Sequence, residues 1–126
     1  MRIYRLPARD ITRFDSASVT MTFLPFVDGS TRSTVNVARI AAGGTLGEHP
    51  ATSLQVFAVT SGEALVSSGT GPEQRRSTLT AGQAVVWEKG EVHQTWAVTD
   101  VVATIVEASG DDVALGLDDN FAEVEA

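Results

Sequence analysis

The sequence predicts a single all-β domain, an antiparallel sandwich or barrel. Three observations carry that expectation. Runs rich in β-branched and aromatic residues recur along the chain, turns containing glycine separate them, and helical signals are weak. A length of 126 residues suits one domain with one core, and no linker or internal repeat divides it.

Taken in order, an N-terminal arm of about residues 1–18 comes first, with "PARDITRF" able to form one short helical turn. "VTMTFLPFV" (Val19 to Val27) reads as strand, with Pro25 marking an edge or bend. "STVNVARIA" alternates, with Val35, Val37 and Arg39 on one face. "SLQVFAVTSGEALVSS" predicts a hairpin around Thr60, Ser61 and Gly62. A loop follows at "GTGPEQRR", and "AGQAVVWEKGEVHQTWAV" reads as two strands about a turn at Lys89 and Gly90. "VVATIVEAS" (Val101 to Ser109) is a nearly continuous β run. The acidic tail, about residues 110–126, holds six acids and no base; it is expected to be a solvated, partly ordered terminus, with "DNFAEVEA" able to form a helical turn.

Composition excludes several functions. There is no cysteine, hence no disulfide, thiolate metal site or cysteine nucleophile, which suits the cytoplasm. The net charge of −7 opposes nucleic-acid binding. Charge is uneven: six arginines and three aspartates in residues 1–39 sum to +3, which leaves −10 for the rest. The start "MRIYRLPARD" lacks the apolar run of a secretory signal, and Val98 to Val106 is too short to span a bilayer. No G-x-S-x-G elbow is present, and "GGTLGEHP" lacks the lysine of a phosphate loop.

Two histidines remain. If residues 49 to 59 are extended, His49, Ala51, Ser53, Gln55, Phe57 and Val59 share a face; His93, Thr95 and Ala97 share another. These faces gather the polar groups able to ligate or to move protons. Gly43, His49, Ala51, Gln55 and Gly62, then Gly82, Glu88, Gly90, His93 and Ala97, stand at the spacings of two successive signatures. The pattern resembles the cupins, whose motifs run G-x5-H-x-H-x3/4-E-x6-G and G-x5-P-x-G-x2-H-x3-N; the resemblance spans residues 43–97.

That resemblance implies an antiparallel jelly-roll barrel, a double-stranded β-helix, and a homodimer in which Trp96 could face a partner subunit. Metal-binding cupins hold one divalent ion through four positions, which fall here on His49, Ala51, Gln55 and His93. Alanine offers no lone pair and glutamine no charge. The proline and asparagine of the second motif are replaced by Glu88 and Ala97. Three readings follow. His49, Gln55 and His93 bind a small organic molecule in the barrel, the histidines serving as acid and base. Or the same three hold Zn, Fe, Mn or Ni for a dioxygenase, isomerase or lyase reaction. Or both histidines are structural in a barrel that senses a ligand or assembles without catalysis. Phe57 and Trp87 are candidate pocket walls, and Arg39 a candidate anchor for a ligand carboxylate.

Overall fold

A computed structural model describes residues 1–124. Among them lie fourteen strands: β1 (Arg2–Arg5), β2 (Ala8–Ile11), β3 (Val19–Thr22), β4 (Phe26–Asp28), β5 (Arg32–Ile40), β6 (Thr45–Pro50), β7 (Leu54–Ser61), β8 (Glu63–Ser68), β9 (Arg75–Thr80), β10 (Gln83–Trp87), β11 (Val92–Ala97), β12 (Val101–Ser109), β13 (Ala114–Gly116) and β14 (Ala122–Val124). They form a six-stranded sheet ordered β14-β1-β10-β7-β12-β5 and a four-stranded sheet ordered β6-β11-β8-β9. Two ribbons, β13-β4 and β2-β3, complete the structure. Every pairing is antiparallel. The predicted all-β jelly-roll barrel is the fold observed.

Consecutive strands mostly change sheets. The steps β5 to β6, β7 to β8, β10 to β11 and β11 to β12 each cross from one sheet to the other. The expected hairpin at Thr60, Ser61 and Gly62 is therefore corrected to a crossing. Both edges of β7 are already taken, by β10 and β12, while β8 pairs with β11 and β9. Gly62 makes the corner possible: its φ is +93°, and a Cβ there would stand 2.0 Å from the Asp100 carbonyl oxygen.

Side chains alternate between two apolar clusters. Ile3, Phe57, Val59, Val66, Leu79, Val85 and Trp87 fill the space between the sheets. Tyr4, Leu54, Val56, Ala58 and Val86 lie on the outer face of the six-stranded sheet. β7 is apolar on both faces because both faces are covered.

The ends of the chain are more ordered than their composition suggests. β1 pairs with β10 in the large sheet, and β14 pairs with β1. The helical turn expected in "PARDITRF" is replaced by β2 and a single 3₁₀ turn at Arg13–Asp15. The turn expected in "DNFAEVEA" is replaced by β14, whose main chain bonds β1; the last two residues of that segment lie outside those described. In the acidic tail, Val113, Leu115 and Phe121 pack on the outer cluster while Asp111, Asp112, Asp118 and Asp119 are exposed. Sorting acids outward and apolar residues inward lets so charged a segment fold onto the barrel. Among the described residues no helix is long and apolar enough to cross a membrane.

Candidate functional site

The two histidines come from neighbouring strands. β11 is internal to the four-stranded sheet and β6 is its edge. His93 stands in register with His49 on one side and Ser68 on the other, so all three point to the same face. The ring centroids of His49 and His93 are 4.5 Å apart, tilted by 56°. The β6–β11 register shifts between His93 and Thr95, where Thr95 meets Leu46. This bulge brings Leu46 opposite Thr95 although Leu46 and His49, which pairs with His93, are an odd number of residues apart.

The opposite wall comes from the six-stranded sheet. Trp87, Gln55, Glu107 and Thr34 follow one another in register across β10, β7, β12 and β5. Trp87 and Phe57 belong to the interior cluster, so the whole row faces the interior. Trp87 stacks on His93 with centroids 4.2 Å apart and planes 27° apart. Its Nε1 donates to the Ser67 carbonyl at 3.1 Å. Phe57 lies behind it, 6.1 Å from the Trp87 ring. Gln55 is buried, and no buried side-chain nitrogen or oxygen in the described residues lacks a partner.

Both imidazoles are oriented alike. Nδ1 of His49 lies 2.6 Å from the Gly47 carbonyl, and Nδ1 of His93 lies 3.0 Å from that of Glu91. A carbonyl only accepts, so each Nδ1 carries the proton, and in the neutral ring Nε2 is left with a free lone pair. His93 is 2% exposed. Burial, the largest influence, lowers its pKa; the bond to the Glu91 carbonyl opposes this, the His49 ring reinforces it, and the Glu91 and Glu107 carboxylates oppose it. The net result lies below the ordinary histidine value, which keeps the ring neutral at pH 7.

Glu91 braces the turn before His93. It accepts from the Met1 amine at 2.5 Å, from the Ser68 hydroxyl, and from the Glu88 amide N–H at 3.0 Å. Burial raises its pKa, but these bonds outweigh burial and hold the carboxyl below its usual range.

Of the residues singled out from the sequence, Gln55, Phe57, Trp87 and His93 are buried in the barrel, and His49 lies exposed beside the His93 ring on the edge strand. They do not share one strand: the chain leaves the four-stranded sheet at Pro50 and enters the six-stranded one at Leu54, so His49 and Gln55 stand on different sheets. Ala51 is buried in the interior cluster. Arg39 pairs with Val102 and shares the outer face with Val106, a member of the outer cluster, so it points away from the histidines. Trp96 lies on the outside of the four-stranded sheet beneath the Arg76 guanidinium, 4.6 Å from the ring centroid.

Glu107 was not singled out, although its signal is visible: it is the one charged residue within the apolar run of β12. A cleft of about 280 Å³ opens beside it, lined by Arg32, Thr34, Thr52, Ser53, Glu107 and Ser109.

Comparison with known proteins agrees with this architecture. No protein-family model and no curated protein sequence matches the chain. Solved structures do. One is a cupin superfamily protein from Desulfitobacterium hafniense, 12% identical with a TM-score of 0.57, over 70% of this chain and 79% of that one. Another is a conserved protein with a double-stranded β-helix domain from Klebsiella pneumoniae, 25% identical with a TM-score of 0.53, over 73% and 79%. An oxalate oxidase matches at 21% identity and a TM-score of 0.55, over 64% of this chain and 44% of its own. The chain has the cupin fold, as its paired motifs indicated.

Proposed function

We propose that the His49–His93 pair forms a metal-free site for a small organic molecule, with Gln55 as the third polar anchor. The carrying observation is the shared Nδ1 geometry, which holds each Nδ1 on a backbone carbonyl and leaves both Nε2 sides available, with the ring centroids 4.5 Å apart. The chemistry this supports is acid–base. Neutral His93 takes a proton from a bound hydroxyl or an acidic C–H, and His49, on the exposed edge strand, exchanges protons with solvent. Trp87 holds the His93 plane, and the Gln55 amide orients a polar group of the ligand.

The metal-free reading is supported by the donor set. Ala51 occupies one motif position and neutral Gln55 another, and among the described residues no group of three or more His, Asp or Glu is placed around one point. We expect purified protein to carry no stoichiometric Zn, Fe, Mn or Ni by elemental analysis, and its melting temperature to stay unchanged when these ions are added. Stoichiometric metal that disappears in His49→Ala and His93→Ala would establish the metal-dependent reading instead.

A second copy of the chain belongs to this proposal. The β2–β3 ribbon is exposed along nearly its whole length, and a lone two-stranded ribbon is marginal in water. β5 leaves one edge unpaired and exposes Val35 at 65% and Val37 at 63%. The basic N-terminal third and the acidic remainder complement each other between copies. Analytical ultracentrifugation should give a dimer for wild type and a monomer for the double variant Val35→Lys, Val37→Lys. The cytoplasm is the proposed compartment, supported by the lack of cysteine.

A further inference from the structure

The cleft beside Glu107 has a composition unlike the rest of the barrel. Arg32, Thr34, Glu107 and Ser109 share the inward face of β5 and β12, because Arg32 pairs with Ser109 and Thr34 with Glu107. Thr52 and Ser53, from the segment joining β6 to β7, close the third side. One guanidinium, one carboxylate and four hydroxyls thus line about 280 Å³ of open space. Among the described residues neither Arg32 nor Glu107 is in a salt bridge. The cleft joins the histidine site through one register row, since Glu107 neighbours Gln55, Gln55 neighbours Trp87, and Trp87 stacks on His93.

We propose that this cleft is the entrance and carboxylate subsite of the histidine site, and that the ligand is a small hydroxylated carboxylic acid. The proposal rests on the ligand-binding reading above and names its substrate class. Arg32 is the group that recognises the carboxylate, through the paired N–H donors of its guanidinium. One guanidinium balances one negative charge, and the Glu107 carboxylate nearby disfavours a dianion such as a phosphate ester. Glu107 accepts hydrogen bonds from ligand hydroxyls, and Thr34, Ser53 and Ser109 can donate or accept. Arg32 lies one same-face step beyond Thr34, about 7 Å along the strand. A ligand of about four to six carbons anchored at Arg32 covers that step and extends past Glu107 toward the histidines.

Matched pairs test this directly. Gluconate and sorbitol share six carbons, as threonate and threitol share four, and each pair differs by the carboxylate. Binding is read by amide chemical shifts and by calorimetry for wild type, Arg32→Gln, Glu107→Gln and His93→Gln, each first checked for a native circular-dichroism spectrum. At least one acid should bind wild type while its polyol binds about tenfold or more weakly. Arg32→Gln should remove that difference, and Glu107→Gln should weaken the polyol more than the acid, since the acid also loses the repulsion of that carboxylate. The subsite is overturned if neither acid binds, if acid and polyol bind alike, or if Arg32→Gln binds the acid as wild type does. Full binding by Arg32→Gln with loss in His93→Gln would leave the histidine site standing and remove only the carboxylate subsite. Full binding by His93→Gln with loss in Arg32→Gln would overturn the link to the histidines and leave the cleft as a separate site.

Discussion

β11 and β6 carry the same kind of residue in the same local arrangement, yet the two histidines live in different surroundings. Each ring places Nδ1 against the carbonyl two residues earlier, and the rings face each other in register. His93 sits on an internal strand, stacked on Trp87, and is 2% exposed. His49 sits on an edge strand whose residues are all exposed. The difference teaches that local sequence sets the tautomer, whereas the position of a strand in its sheet sets burial. The buried ring suits a neutral base, and the open ring suits exchange with solvent.

The largest effect is expected from removing what buries His93. Trp87→Ala should cost about 3–5 kcal/mol in urea denaturation, because it empties a fully buried site and strips the stacked face of His93. Replacing the rings themselves should separate them. His93→Ala should cost about 1–3 kcal/mol, while His49→Ala should stay within about 0.5 kcal/mol, as surface changes do. Equal losses at the two positions would contradict the contrast drawn between their strands.

A smaller effect is a pH dependence owed to His93 alone. Its pKa is lowered by burial first and by His49 among the remaining influences, so between the folded and unfolded values the unfolded chain binds more protons. This contribution to stability is therefore intact above the unfolded value of about 6.5 and is lost as pH falls toward the lower folded value. Melting temperatures between pH 7.5 and pH 5 should show that decline in wild type, and His93→Gln should flatten it; an unchanged decline in the variant would assign it to other groups.

Much of the fold was legible because the chain punctuates it. β12 was read to its last residue, Val101 to Ser109, since a run apolar on both faces has one stable place, the middle of a covered sheet. The site was legible where glycine and histidine spacing marked it, at His49, Gln55 and His93. Glu107 and Arg32 escaped because they join the site only through cross-strand register, with residues more than fifty positions away in the chain for Glu107 and Gln55. Arg39 drew notice for its charge, but its parity places it outside, while Arg32 on the same strand faces in. In the tail, β14 stands where a helical turn is expected, because the pairing of its main chain with β1 is a long-range contact that local propensity does not register.

The amino-acid sequence by itself determined the strand class, the turns at its glycines and the identity of the two inward-facing histidines, because period-2 patterning and φ preference are local properties. Only the tertiary structure decided that the strands on either side of Gly62 part into different sheets, that His49 and Gln55 stand on opposite sheets, and that Glu107 stands beside Gln55 in register. Those facts depend on which strand edges are already occupied, and that competition is settled by the whole chain at once.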